Sequence, residues 1–289
     1  MIGQRYVRGM LRRGPASIAT CAAGVAALLG LAPEAHACGA AYPGGPVMCD
    51  YPRRSPDGRV VDRPAGDDTR PTGPPIAHLS ASYAFTSTTI LFGSGRRAEL
   101  TRHAVFGALQ LPLTRSGAVT GLVGAGGVAG GELIHGAARD TIGPGFAGYL
   151  GVAGRVYDGK GWVPFLQLTA TLSVTHMGTR TDDRGTRTDG STSAAGPSSP
   201  AFTASDLRVG AIAGKTFGEV FTPYVTGRVF GGPIAWRFDG AAVTGTDLYK
   251  YQVGGGLSLA LFQRRLDVFA EGIALGERGL AAGVGTTFF

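Results

Sequence analysis

Residues 166–175 read LQLTATLSVT. Leu166, Leu168, Ala170, Leu172 and Val174 alternate with Gln167, Thr169, Thr171, Ser173 and Thr175. Successive side chains of an extended strand point to opposite faces, so one face here is wholly apolar and the other small and polar. The same period recurs outward along the chain. Tyr249, Tyr251, Val253, Leu257, Leu259 and Leu261 oppose Lys250, Gln252, Gly254, Gly256 and Ser258. Leu207, Val209, Ala211 and Ala213 oppose Arg208, Gly210 and Gly214, and Leu79, Ala81, Tyr83 and Phe85 oppose His78, Ser80, Ser82 and Thr86. Leu266, Val268 and Ala270 oppose Asp267 and Glu271. Ten such segments are expected, near 76–91, 99–113, 118–130, 141–156, 162–177, 205–217, 221–231, 248–262, 265–275 and 279–289.

The connections between them tend to alternate in length. TRSG, YDGKG, GEV and a short RR follow segments two, four, six and eight. Those after segments three, five and seven are long or polar, and residues 178–204 form the longest. The short GER after segment nine breaks the trend. Tight turns on one side and long loops on the other are the layout of an antiparallel up-and-down transmembrane β-barrel. The expected fold is thus all-β, a barrel of about ten strands over residues 76–289. A soluble sandwich or lipocalin-like barrel is the structural alternative, and it would turn the apolar phase inward.

The chain closes on Leu280, Ala282, Val284 and Phe288 in one phase, with Phe289 last. With these residues the sequence resembles the outer-membrane β-barrel superfamily of Gram-negative bacteria. The resemblance implies that Phe288 and Phe289 belong to a C-terminal signal read by the barrel assembly machinery. The phase ending at Phe288 is the apolar one, whereas the phase ending at Phe289 runs back through Thr287, Gly285 and Gly283. Two aromatic girdles are expected at the lipid–water interfaces. Tyr157, Trp162, Phe221, Phe262 and Phe288 fall on the turn side, and Phe92, Phe230, Trp236, Tyr249 and Tyr251 on the loop side.

The N-terminal part carries a different signal. Arg5, Arg8, Arg12 and Arg13 precede an apolar stretch over residues 16–32, then Pro33 and Ala35-His36-Ala37. That order is the one of a secretory signal peptide, expected over residues 1–37. Cys38 directly after the cleavage site also admits a lipoprotein reading. Cys38 and Cys49 then remain in an exported chain and are expected to form a disulfide. Residues 38–75 carry eight prolines and few large apolar residues, so they are expected to be a disordered periplasmic arm.

The charge of +7 belongs partly to the leader, and the remaining arginines are scattered. Nucleic-acid binding is therefore not indicated. No HExxH, GxSxG or P-loop pattern is present, so no catalytic residue, metal site or cofactor is assigned. Strand count and length also resemble the omptin proteases, whose chemistry uses an Asp pair and an Asp–His pair at the outer rim. Asp182, Asp183 and His176 lie near the expected rim, but no motif of that family surrounds them.

The charges on the polar phase are more informative. Arg208, Arg228, Lys250, Asp267 and Glu271 fall on four consecutive strands facing the lumen. Buried charges must pair or reach water, so these residues are expected to form a salt-bridged plug or to line a narrow pore. The expected partners are outer-membrane lipid, the assembly machinery and an extracellular ligand at loop 178–204. The expected role is structural or surface-interacting rather than enzymatic, with a small-solute pore as the alternative.

Overall fold

The computed structural model describes residues 77–288 except 115–117, 137, 158, 160–161, 182–200, 219, 239–240 and 263–264. The leader, the arm, Cys38, Cys49, Asp182, Asp183 and Phe289 lie outside the described residues. Twelve strands form one sheet: β1 (Ala77–Phe92), β2 (Arg97–Pro112), β3 (Val119–His135), β4 (Ala138–Tyr157), β5 (Phe165–Thr181), β6 (Ala201–Gly214), β7 (Phe221–Gly231), β8 (Ile234–Phe238), β9 (Ala241–Asp247), β10 (Tyr251–Leu261), β11 (Leu266–Gly276) and β12 (Arg278–Phe288). Consecutive strands pair antiparallel from β1 to β7; β7 then pairs β10, and β10, β11 and β12 follow in order. β12 pairs back onto β1 from Ala77↔Phe288 to Ser87↔Arg278, so the sheet closes as a ten-stranded barrel. Closure leaves no strand edge around this ring.

β8 and β9 were expected as part of a long connection and instead form a hairpin that makes a second ring. At the loop-side end β6 exchanges partners. Leu207–Gly214 pair with β7, whereas Phe202, Thr203 and Ala204 pair with β8. Pro233, which has no amide proton to give a ladder, sits between β7 and β8 where the chain changes partner. β1 changes partner likewise: up to Ser87 it holds β12, and Ile90–Phe92 hold β9. Ten strands therefore surround the turn-side lumen and eight surround the loop-side end. Fewer strands mean a smaller circumference, so the barrel tapers towards its loops. The long loop is also shorter than expected. Residues 178–181 extend β5 and residues 201–204 extend β6, with Thr179 and Phe202 fully buried.

The apolar phase faces outward. Leu79, Val105, Leu150, Leu168, Leu172, Val209, Val225, Leu257, Leu280 and Val284 are all exposed. Their neighbours Ser80, Ser82, Thr169, Thr171, Thr226 and Ser258 are buried inside. This is the membrane-barrel arrangement, opposite to that of a lipocalin-like barrel. Of the expected girdles, Tyr157, Trp162, Phe262 and Phe288 on the turn side and Tyr249 and Tyr251 on the loop side are exposed. Phe92, Phe230 and Trp236 are not; they are buried on the inward phase. Trp236 packs beside Phe92 with ring centroids 5.7 Å apart.

Glycine makes room for the rings that fill the lumen. Tyr149 stands opposite Gly124 on β3, where a Cβ would lie 2.3 Å from its ring. Phe269 and Gly283 are opposed in the same way. Both rings belong to an internal cluster with Phe106, Leu122 and Ile273. A second cluster fills the loop-side end, where Ile90, Leu100, Leu133, Met177, Phe202 and Trp236 meet.

Candidate functional site in the lumen

One connected group of charged and polar lumen side chains lies between these two apolar clusters. Arg228 on β7 reaches across β10 to Glu271 on β11. Its Nη1 donates to Glu271 Oε1 at 2.9 Å and its Nη2 to Oε2 at 3.1 Å. The strand crossed on the way carries Gly254, Gly255 and Gly256, which place no side chain in the gap. The two ionic side chains are 1% and 0% exposed. A bidentate guanidinium–carboxylate pair in this setting combines charge with fixed geometry.

Gln252 joins this pair to a second one. Its Oε1 accepts from Arg228 Nη1 at 2.7 Å, and its Nε2 donates to Glu277 Oε2 at 2.6 Å. Glu277 also accepts from Arg208 Nη1 at 2.6 Å, and Arg102 Nη2 stands 3.7 Å from its other oxygen. Arg208 further donates from Nε to Asp206, and its guanidinium lies over the Phe230 ring, 4.6 Å from the centroid. A continuous chain thus runs Asp206–Arg208–Glu277–Gln252–Arg228–Glu271. Neighbouring hydrogen bonds of this kind polarise one another in a low-dielectric interior.

Glu277 occupies the turn between β11 and β12, the short connection that broke the expected alternation of lengths. The turn ends below the β8–β9 hairpin rather than at the outer rim, because β11 and β12 stop where β9 takes over pairing with β1. Gly276 precedes it with φ of 80°, and a Cβ there would lie 1.7 Å from Tyr251 O. Only glycine fits that approach, and it is what aims Glu277 into the lumen.

The five lumen charges expected from sequence are thus divided. Arg208, Arg228 and Glu271 join the network. Asp267 is also buried in the lumen but is bonded to His78 Nε2 at 2.7 Å, nearer the turn side. Lys250 is a correction. It precedes the first residue of β10 and is exposed, because the strand begins at Tyr251, three residues later than the expected start at 248. Glu277, Arg102, Asp206 and His78 were not assigned to the network from sequence. Glu277 lies in the short GER connection of the sequence, and of these four only His78 falls on a polar phase named there.

Beside the network a cavity of about 50 Å³ remains, touched by Arg102, Asp206, Arg208, Glu277, Asp247 and Thr88. It is the size of a few water molecules. Thr88 Oγ1 donates to Asp247 there at 3.1 Å. His176, the histidine near the expected rim, lies on the outward phase of β5. It stacks beside Phe146 at 5.6 Å and is bonded to Thr203 Oγ1 at 2.8 Å. Among the described residues no group of three or more His, Cys, Asp or Glu is placed to hold a metal ion.

No family model and no curated protein matches the chain. Among solved structures it is similar to the outer membrane protease OmpT from Escherichia coli, at 13% identity and a TM-score of 0.43, covering 73% of this chain and 96% of that one. It is also similar to the transport unit of the autotransporter AIDA-I from Escherichia coli, at 12% identity and a TM-score of 0.41, covering 79% of this chain and 93% of that one.

Proposed function

We propose that this protein is an outer-membrane β-barrel with a closed lumen, whose role is structural or surface-interacting. Its wall meets lipid, and its loops, the connection between β5 and β6 above all, meet extracellular ligands. The observation that carries the reading is the buried chain from Asp206 to Glu271. Ionic groups removed from water persist when each is paired and hydrogen-bonded, and these link four strands across the lumen. A conducting pore would instead line a water path with charges free to meet ions. The apolar cluster around Phe202 and Trp236 supports closure at the loop side. The outward position of His176 favours this reading over surface proteolysis.

Two measurements on the full chain test it together. Heat-modifiable gel migration of protein taken from outer membranes is expected, as for a folded barrel. Planar-bilayer recordings are expected to show no steady conductance. Steady, ion-selective conductance from folded protein overturns the closed-lumen reading in favour of a narrow pore for small solutes.

A further inference from the structure

We propose that the bilayer covers only the turn-side part of this barrel, and that the loop-side ends of β1–β6 with the β8–β9 hairpin stand in water as an eight-stranded barrel with its own apolar core. The inference rests on the outer-membrane reading above and places its lipid partner.

Strand length is the first observation. β7, β10, β11 and β12 each have 11 residues. A tilted strand needs about 9–11 residues to cross the hydrocarbon layer. β1 to β5 have 16, 16, 17, 20 and 17 residues, well beyond that need. The four short strands end where the wall passes from ten strands to eight. Five further residues at about 3.3 Å each, tilted by about 40°, raise the long strands roughly 12 Å above that level.

Side-chain polarity is the second observation, and it inverts at the same place. Along β5 the outward positions Leu166, Leu168, Ala170, Leu172 and Val174 are apolar, and the band ends at His176. Along β2 it runs from Leu111 to Val105 and ends at His103, which is bonded to the Tyr83 hydroxyl at 2.6 Å. Polar-tipped rings at the edge of an apolar band are suited to a lipid–water boundary. Beyond it the outward positions include Arg97, Glu99, Glu132, Arg139 and Arg237, with Arg139 and Glu132 paired at 3.3 Å. The inward phase changes as well. On β1, Ser80 and Ser82 give way to Ile90 and Phe92. Polar outside and apolar inside is the rule for a barrel in water, where burying the cluster around Phe202 and Trp236 is favourable. In hydrocarbon the exposed Arg97 and Arg139 would each be costly.

The test uses the full chain with Cys21, Cys38 and Cys49 replaced by Ser, folded into dimyristoylphosphatidylcholine vesicles. Single cysteines are placed outward at Val105 and Leu172 in the band, and at Arg97, Thr141 and Thr244 beyond it. A charged maleimide is supplied on both sides of the bilayer. The upper three sites are expected to react nearly as fast as in unfolded chain. The two band sites should react roughly a hundredfold slower, because neither a thiolate nor a charged reagent enters hydrocarbon readily. Heat-modifiable migration checks each variant. One that fails to fold is replaced by Glu99→Cys above the boundary or Leu168→Cys below it. Protection of the upper sites equal to that at Leu172 overturns the proposed boundary while keeping the membrane reading. Fast reaction at every site in a folded barrel overturns the membrane reading itself.

Discussion

Neutralising Glu271 asks how dry the lumen is. In Glu271→Gln the shape is retained and one side-chain oxygen still accepts from Arg228, but the negative charge is gone. Breaking a buried pair from one side costs about 3–5 kcal/mol, whereas an exposed pair is worth about 0–1 kcal/mol. With side chains 1% and 0% exposed, Arg228 and Glu271 belong to the first regime. Arg228 keeps its bond to Gln252, which is itself tied to Glu277, so part of the network still faces the unpaired cation. The expected loss is therefore at the lower edge, about 3 kcal/mol. Replacing both partners, Arg228→Met with Glu271→Leu, should recover most of that loss, because apolar side chains of similar volume leave no charge behind. Urea unfolding in vesicles, followed by intrinsic fluorescence, reads all three proteins. A loss under about 1 kcal/mol for Glu271→Gln would refute the dry network and mean that water screens the pair.

Three further outcomes are expected. Leu168→Arg should cost about 2–4 kcal/mol if this exposed position meets the bilayer midplane, while Thr141→Arg, beyond the apolar band, should cost less than about 1 kcal/mol; equal losses in vesicle unfolding would contradict the boundary. Gly124→Ala should cost about 1–3 kcal/mol by forcing Tyr149 aside, whereas Gly227→Ala, where a Cβ meets nothing within 4 Å, should be near neutral; the two unfolding midpoints decide it. Deleting residues 184–198 should leave heat-modifiable migration intact, since closure entropy depends weakly on loop length. By contrast Phe202→Ala, which empties a fully buried site, should cost about 3–5 kcal/mol by urea unfolding.

The strand periodicity, the outward apolar phase and the ten-strand wall were legible in the chain, because a two-residue period is a local property that survives without knowledge of partners. Arg208, Arg228, Asp267 and Glu271 could be placed in the lumen for the same reason. Their partners could not be read, since phase tells which face a charge takes and says nothing about which strand lies across. Asp267 met His78 from β1, and Glu271 met Arg228 two strands away. Lys250 had the inward parity but stands outside its strand, where parity has no meaning. Glu277 illustrates the same limit from the other side. In sequence it is one residue of a short turn, and it becomes the centre of the network only because β11 and β12 stop beneath the β8–β9 hairpin. That hairpin, and with it the change from ten strands to eight, depends on β1 and β6 each pairing with two different strands along their length. Such partner exchange is decided by closure of the whole sheet. The local alternation of Ile234, Ala235, Trp236 and Arg237 is equally compatible with a loop, and only the apolar cluster that receives Ile234 and Trp236 makes it a strand.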